Sequence, residues 1–242
     1  MISTKDGLLR CPWAYSDELT LRYHDDEWGV PSHDDQHLFM MLILEGQQAG
    51  LSWHGILKKM STMRAAYNDF NPQILAAYDS EKVAELLNDP GVIRNRLKVK
   101  AAITNAQAYG HLCDRHGSLD SYLWSFVDGE PIVGNWETQD QIPSTTPLSD
   151  TISRDLKRIG FTFVGPTIVY SYLQAVGVIN DHVNACSFKD INRDSLPTSE
   201  TEILPTADDT AAPSGRHDSG GEKDCESLGE VVGIEYGAHF AG

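Results

Sequence analysis

Apolar residues recur at helical intervals along most of this chain. Val99, Ile103, Ala106, Gly110 and Cys113 follow one another at steps of four and three, as do Ile152, Leu156 and Ile159, and again Ile168, Tyr172, Ala175 and Ile179. The run Leu38-Phe39-Met40-Met41-Leu42-Ile43-Leu44 predicts a further, apolar helix. Helix starts are predicted where a side-chain oxygen can cap free N–H groups: Asp34-Asp35 before the Leu38 run, Ser80 before Glu81-Lys82-Val83, and Ser149-Asp150 before Thr151-Ile152. No pair of alternating segments predicts strands, and no internal repeat is visible. The pattern predicts an all-α globule of one or two lobes.

The periodicity stops near Asp190. Beyond it come Ser, Thr, Gly, Pro and Asp with few aromatics, too little apolar surface to offset the entropy of ordering, so residues 190–242 are predicted to be a disordered, acidic tail. Residues 1–8 are predicted to be a flexible N-terminus, leaving 9–189 as the folded domain. The whole chain's 242 residues, 40% of them hydrophobic, suffice for a sizeable core. The formal charge is −16, but residues 190–242 hold 12 acidic and 3 basic side chains, which leaves −7 on residues 1–189. A mildly acidic body argues against promiscuous binding to nucleic acid, so any DNA contact must rest on local positive charge. No apolar leader or bilayer-length run stands in the sequence, so a soluble, cytoplasmic protein with no targeting segment and no membrane contact is expected. Four cysteines, at positions 11, 113, 186 and 225, are scattered rather than arranged as a disulfide framework, which fits a reducing compartment. Cys113 falls on a periodic apolar face and Cys225 in the tail, and neither has an electropositive neighbour that would make it a nucleophile.

Two groups of residues carry candidate chemistry. In Leu44-Glu45-Gly46-Gln47-Gln48-Ala49-Gly50-Leu51-Ser52-Trp53 a carboxylate ends an apolar helix, small residues and glutamines follow, and a tryptophan closes the run. That arrangement suits a planar, hydrogen-bonding ligand such as a nucleobase, although any helix can end in Glu-Gly and a Trp after a turn is commonly core. Cys11 and His24 lie thirteen positions apart, and His182 and Cys186 lie four apart, which on a helix would place the second pair on one face. Two Cys and two His can close a tetrahedral zinc site, while each of the four taken singly reads as a buried thiol or a satisfied histidine. His33 and His37 are also four apart, but no distant third ligand accompanies them and Asp34-Asp35 already serve as a cap.

Three runs taken together, Tyr23-His24-Asp25-Asp26-Glu27-Trp28-Gly29-Val30-Pro31, the Glu45 run and Asn180-Asp181-His182-Val183-Asn184-Ala185-Cys186, resemble the 3-methyladenine DNA glycosylase I family. The resemblance covers roughly residues 9–189. It implies a helix-hairpin-helix glycosylase-like fold with one structural zinc ion on Cys11, His24, His182 and Cys186, stapling the first segment to the last. It further implies a base pocket in which Glu45 is the anion facing a cationic alkylated base, Trp53 and Trp13 stack on the ring, and Tyr23 offers an edge hydrogen bond. Trp28 is assigned to packing, and Thr20 stands where relatives often place another aromatic. Gln47, Gln48, Gly50 and Leu51 would lie at the pocket mouth, with Leu51 the wedge that replaces a flipped base. Leu86-Leu87-Asn88, a Pro90-Gly91 turn and the next helix resemble the superfamily's hairpin, so that Arg94, Arg96, Lys98 and Lys100 would face phosphates; an ordinary solvated helix start reads equally well from the residues alone. The implied activity is monofunctional release of 3-methyladenine from double-stranded DNA containing alkylated bases, by a monomer. The competing reading is a zinc-stapled, non-catalytic DNA-binding module for alkylated or distorted DNA.

Overall fold

The computed structural model describes residues 6–190; the predicted tail beyond Asp190 and the first five residues lie outside the described residues. Nine α-helices are described: α1 (Glu18–Asp26), α2 (Asp35–Gln48), α3 (Trp53–Ala66), α4 (Pro72–Ala76), α5 (Ser80–Asn88), α6 (Arg96–His116), α7 (Leu119–Trp124), α8 (Pro147–Ile159) and α9 (Pro166–Ala175). None among the described residues is long and apolar enough to cross a membrane.

Helix α2 is the centre of the molecule. All ten residues from Leu38 to Gln47 are buried, and α3, α6, α7 and α9 pack around it, which is why its sequence is apolar on every side rather than striped. Its predicted cap holds: Asp34 accepts from the His37 N–H. Asp35, the first helical residue, accepts from the Tyr109 hydroxyl and the N–H groups of Leu119 and Asp120, tying α2 to α6 and to the start of α7. On α8, Ile152, Leu156 and Ile159 all turn inward as their spacing predicts, whereas α6 buries a broader face than its periodic residues suggest, adding Ala101, Ala102, Asn105, Ala108, Tyr109 and Leu112.

Three expectations about element boundaries are corrected. Ser80 is the first helical residue of α5 and Asp79 is its cap, accepting from Glu81 and Lys82. Helix α8 begins at Pro147 rather than near Thr151, because Thr146 caps it and Ser149 completes a reciprocal capping box. The apolar face of α9 ends at Ala175, not Ile179: Gly177 turns the chain at φ +72, and an added Cβ there would sit 2.2 Å from the Val30 carbonyl carbon, so only glycine lets the two segments meet. Ile179 then joins a two-residue parallel pair, β1 (Ile132–Val133) with β2 (Ile179–Asn180), where no strand is predicted. Two residues are too few to show an alternating pattern, and their partner is supplied by the fold.

Candidate base cavity and metal-ligand cluster

Helices α1, α2, α3 and α9 surround a cavity of about 200 Å³ lined by Trp13, Tyr23, Trp28, Glu45, Gln48, Trp53, Ser171 and Gln174. Glu45 reaches it from the last turn of α2, and Trp53 from the first residue of α3, whose cap Ser52 accepts from Gly55. The link between these helices needs Gly50, at φ +75. Trp13 meets Trp28 edge to face at 5.0 Å, and Tyr23 and Trp53 lie 5.2 Å apart at 51°, so the walls are mutually supporting aromatic rings.

Glu45 is only 4% exposed, and its carboxyl makes no hydrogen bond or ion pair among the described residues. Burial alone pushes its pKa up to about 8. Burial also raises that of Tyr23 well above the usual phenol range, reinforced by the negative charge of Glu45 and then of Glu27. Trp13, Tyr23, Glu45, Gln48 and Trp53, singled out in the sequence, therefore share one cavity. Trp28 packs in the core as expected, against Trp13, His24 and His182, and lines the cavity as well. Ser171 and Gln174 were not anticipated; the one signal available was a pair of polar residues three apart on the otherwise apolar α9.

Beside this cavity the second group converges. Cys11, His24, His182 and Cys186 are all buried, and their ligand atoms lie within 4.8 Å of one another. Cys11 Sγ is 3.5 Å from His182 Nδ1, and Cys186 Sγ is 3.3 Å from His182 Nδ1 and 3.5 Å from His24 Nε2. A tetrahedral zinc ion with Zn–S of about 2.3 Å and Zn–N of about 2.0–2.1 Å has S···N edges of roughly 3.5 Å, so the four atoms fit such an ion. The outer partners fit as well. His24 Nδ1 donates to Asp25 Oδ1 at 2.8 Å, leaving Nε2 unprotonated toward the sulfurs, where it also accepts from the Cys11 N–H at 3.3 Å, and Asp25 is itself held by Arg10 Nε at 2.8 and 2.9 Å. His182 Nε2 lies 3.3 Å from the Trp28 carbonyl oxygen, which accepts its proton and leaves Nδ1 free. One expectation fails: residues 181–190 form turns, not a helix, so His182 and Cys186 meet through the fold of a loop rather than a shared helical face.

The basic residues divide. Arg94 and Arg96 are exposed, in the turn after α5 and at the first residue of α6. Arg94 lines a shallow surface groove together with Leu51, which is 45% exposed, and with Pro90 of the turn; Gly50 is exposed beside it. Lys98 is corrected: it is 7% exposed, and its Nζ donates to the carbonyl oxygens of Gln47 and Ala49 at 2.7 Å each. Gln47 Nε2 donates back to the Lys98 carbonyl at 3.1 Å. Lys98 thus caps the end of α2 that carries Glu45, because carbonyls left over at a buried helix end need a donor more than a solvated phosphate site does.

The sequence profile described as methyladenine glycosylase matches residues 13–190. DNA-3-methyladenine glycosylase 1 of Escherichia coli is 47% identical over 177 residues, covering 73% of this chain and 95% of that protein. A crystal structure of a 3-methyladenine DNA glycosylase I, 47% identical, superposes with a TM-score of 0.71 over 74% of this chain and 98% of its own. The Staphylococcus aureus enzyme, solved to show the structural basis of its 3-methyladenine recognition, is 36% identical with a TM-score of 0.72, over 74% of this chain and 96% of its own. With the aromatic cavity, the buried carboxyl and three of the four cluster residues falling inside the matched span, and Cys11 two residues before it, this chain belongs to the methyladenine glycosylase family.

Proposed function

We propose that this chain excises 3-methyladenine from alkylated double-stranded DNA, hydrolysing the N-glycosidic bond as a monofunctional glycosylase. The observation that carries the proposal is Glu45, a desolvated carboxyl without a partner among the described residues, enclosed by Trp13, Tyr23, Trp28 and Trp53. Ionising such a group is costly unless a cation meets it. By itself Glu45 keeps its proton near pH 7, its pKa standing at about 8. A 3-methylated adenine on deoxyribose bears a formal positive charge, which favours the carboxylate and stacks on the electron-rich faces of the aromatic walls; unmodified adenine offers neither gain. The same charge weakens the glycosidic bond, so water can attack the sugar carbon with little acid catalysis. No residue lining the cavity is a lysine, which supports hydrolysis over a Schiff-base lyase route.

To enter the cavity the nucleotide must leave the base stack. Exposed Leu51 is suited to fill the gap, and Gly50 and Gln48 flank it at the cavity mouth. We read α5, the Pro90-Gly91 turn and α6 as a helix-hairpin-helix whose backbone N–H groups, with Arg94 and Arg96, hold phosphates. Cys11, His24, His182 and Cys186 would hold one zinc ion. Four protein ligands close its coordination, so the ion would supply folding energy and no reaction chemistry.

The test is chromatographic detection of 3-methyladenine released from methylated duplex DNA by the wild type and by Glu45→Gln. Release by the wild type and a loss on the order of 100-fold in the variant are expected, the scale of removing one charge-stabilising group from an active site. Full activity of the variant would refute the role of Glu45. Binding of methylated duplex with no release by the wild type would favour the non-catalytic DNA-binding module instead.

A further inference from the structure

Asp181 is buried behind the cavity wall and collects three donors. Trp136 Nε1 donates to its Oδ1 at 2.6 Å, while the Tyr170 hydroxyl and Gln174 Nε2, the latter at 2.8 Å, donate to Oδ2. A carboxylate only accepts, so it can face only the NH₂ end of the Gln174 amide. The orientation of this amide therefore follows from the chemistry of its neighbour rather than from the placing of two similar atoms. The opposite end, Oε1, makes no hydrogen bond among the described residues, and Gln174 lines the same cavity as Glu45. Its backbone is equally constrained: the Gln174 carbonyl accepts from the N–H groups of Gly29 and Gly177 at 3.0 and 3.3 Å.

We propose that Gln174 Oε1 is a second acceptor for the exocyclic amine of the base, with Asp181 as the positioning residue that keeps it turned toward the cavity. The inference rests on the base-excision reading above and deepens it. An exocyclic amine has two hydrogens; Glu45 and Gln174 can each accept one. A ring with a carbonyl at that position would set its lone pairs against both acceptors, and a site built to hydrogen-bond one group strongly rejects an analogue that lacks it. The pair therefore selects 6-amino over 6-oxo purines, a discrimination that ring stacking cannot make because both kinds of ring stack alike.

The experiment titrates the full chain with free 3-methyladenine and free 3-methylhypoxanthine, its 6-oxo counterpart, following tryptophan fluorescence. Base release from DNA is assayed separately. Gln174→Met, which keeps the length but loses the amide, should bind 3-methyladenine about 3- to 10-fold more weakly, the range of one lost hydrogen bond. Its affinity for 3-methylhypoxanthine should stay unchanged or rise, so the preference narrows. Gln174→Glu at pH 6 should restore the preference to within about 2-fold: its carboxyl, kept protonated beside Asp181, donates to it and leaves a carbonyl toward the ring. Equal weakening of both bases in Gln174→Met, or an unchanged preference, overturns the proposal. A Gln174→Glu protein that folds but lacks the preference overturns it too, which keeps the test decisive should the methionine variant fail to fold. Failure of the wild type to release base, with the binding pattern as expected, would count against hydrolysis and leave the acceptor role supported.

Discussion

Tyr23 and His24 are consecutive residues of one helix, yet they serve opposite kinds of polar site. His24 enters the metal-ligand cluster, where its ring nitrogens face Asp25 on one side and Cys186 on the other. Tyr23 enters the cavity, where its side chain and that of Glu45 are buried and make no hydrogen bond among the described residues. Both sites take polar groups out of water. In the cluster the desolvation cost is offset by converging partners, so the site can contribute stability. In the cavity it is not offset, so the site holds a carboxyl at a pKa of about 8 in readiness for a cation. The two are joined at Trp28, whose ring lines the cavity while its carbonyl accepts from His182. The satisfied site thereby holds a wall of the unsatisfied one.

The sharpest way to break this comparison is Cys11→Ala. The variant should lose the proposed zinc ion, read by elemental analysis, and its unfolding midpoint should fall by on the order of 10 °C, since metal-binding energy counts as folding energy. Unchanged zinc content would end the assignment of stability to the cluster.

Next in size is Glu45→Gln, which should do the reverse. The folded pKa of about 8 lies above the ordinary 4.5, so the folded protein retains a proton that the unfolded chain releases between those values. The contribution of Glu45 is fully present below pH 4.5 and is lost as pH rises through 8, at up to ~1.4 kcal/mol per pH unit. The glutamine variant should therefore be indistinguishable from the wild type near pH 4.5 and more stable by on the order of a few kcal/mol at pH 8, read by urea unfolding. An equal difference at pH 5 and pH 8 would mean that Glu45 carries no uncompensated charge.

Lys98→Met should cost about 1–3 kcal/mol by leaving the Gln47 and Ala49 carbonyls without their donor. It should lower base release while leaving the salt dependence of DNA binding alone. Arg94→Ala should have the smallest effect on stability, within about 0.5 kcal/mol. It should reduce the salt slope of DNA affinity by about 1, the mark of one phosphate contact. If Lys98→Met moved the salt slope and Arg94→Ala did not, the inward and outward assignments of these side chains would be reversed.

Helices α2, α5, α6, α8 and α9, the burial of the Leu38–Leu44 run and the residue types of both sites were legible in the chain, because local periodicity and side-chain chemistry are properties of nearby residues. Their assembly was legible only through a resemblance to relatives. Local pattern and fold part company where a distant segment overrides the former. Ile179 continues the period of α9 but pairs with Ile132, His182 and Cys186 have helical spacing on a turn, and Lys98 stands among exposed arginines yet points inward to the end of α2. Gln174 had no local mark beyond its spacing of three from Ser171 on α9.

The sequence by itself determined the apolar runs that become α2, α6, α8 and α9, the cap of α2, and which residues could accept a base or a metal. Only the tertiary structure decided that Glu45 would be left without a partner while Asp25, Asp35 and Asp181, carboxylates of the same chemistry, would each be given theirs. The reason is physical: a carboxylate's pKa and role depend on the donors and solvent around it, and those come from segments tens of residues away that meet only when the helices pack.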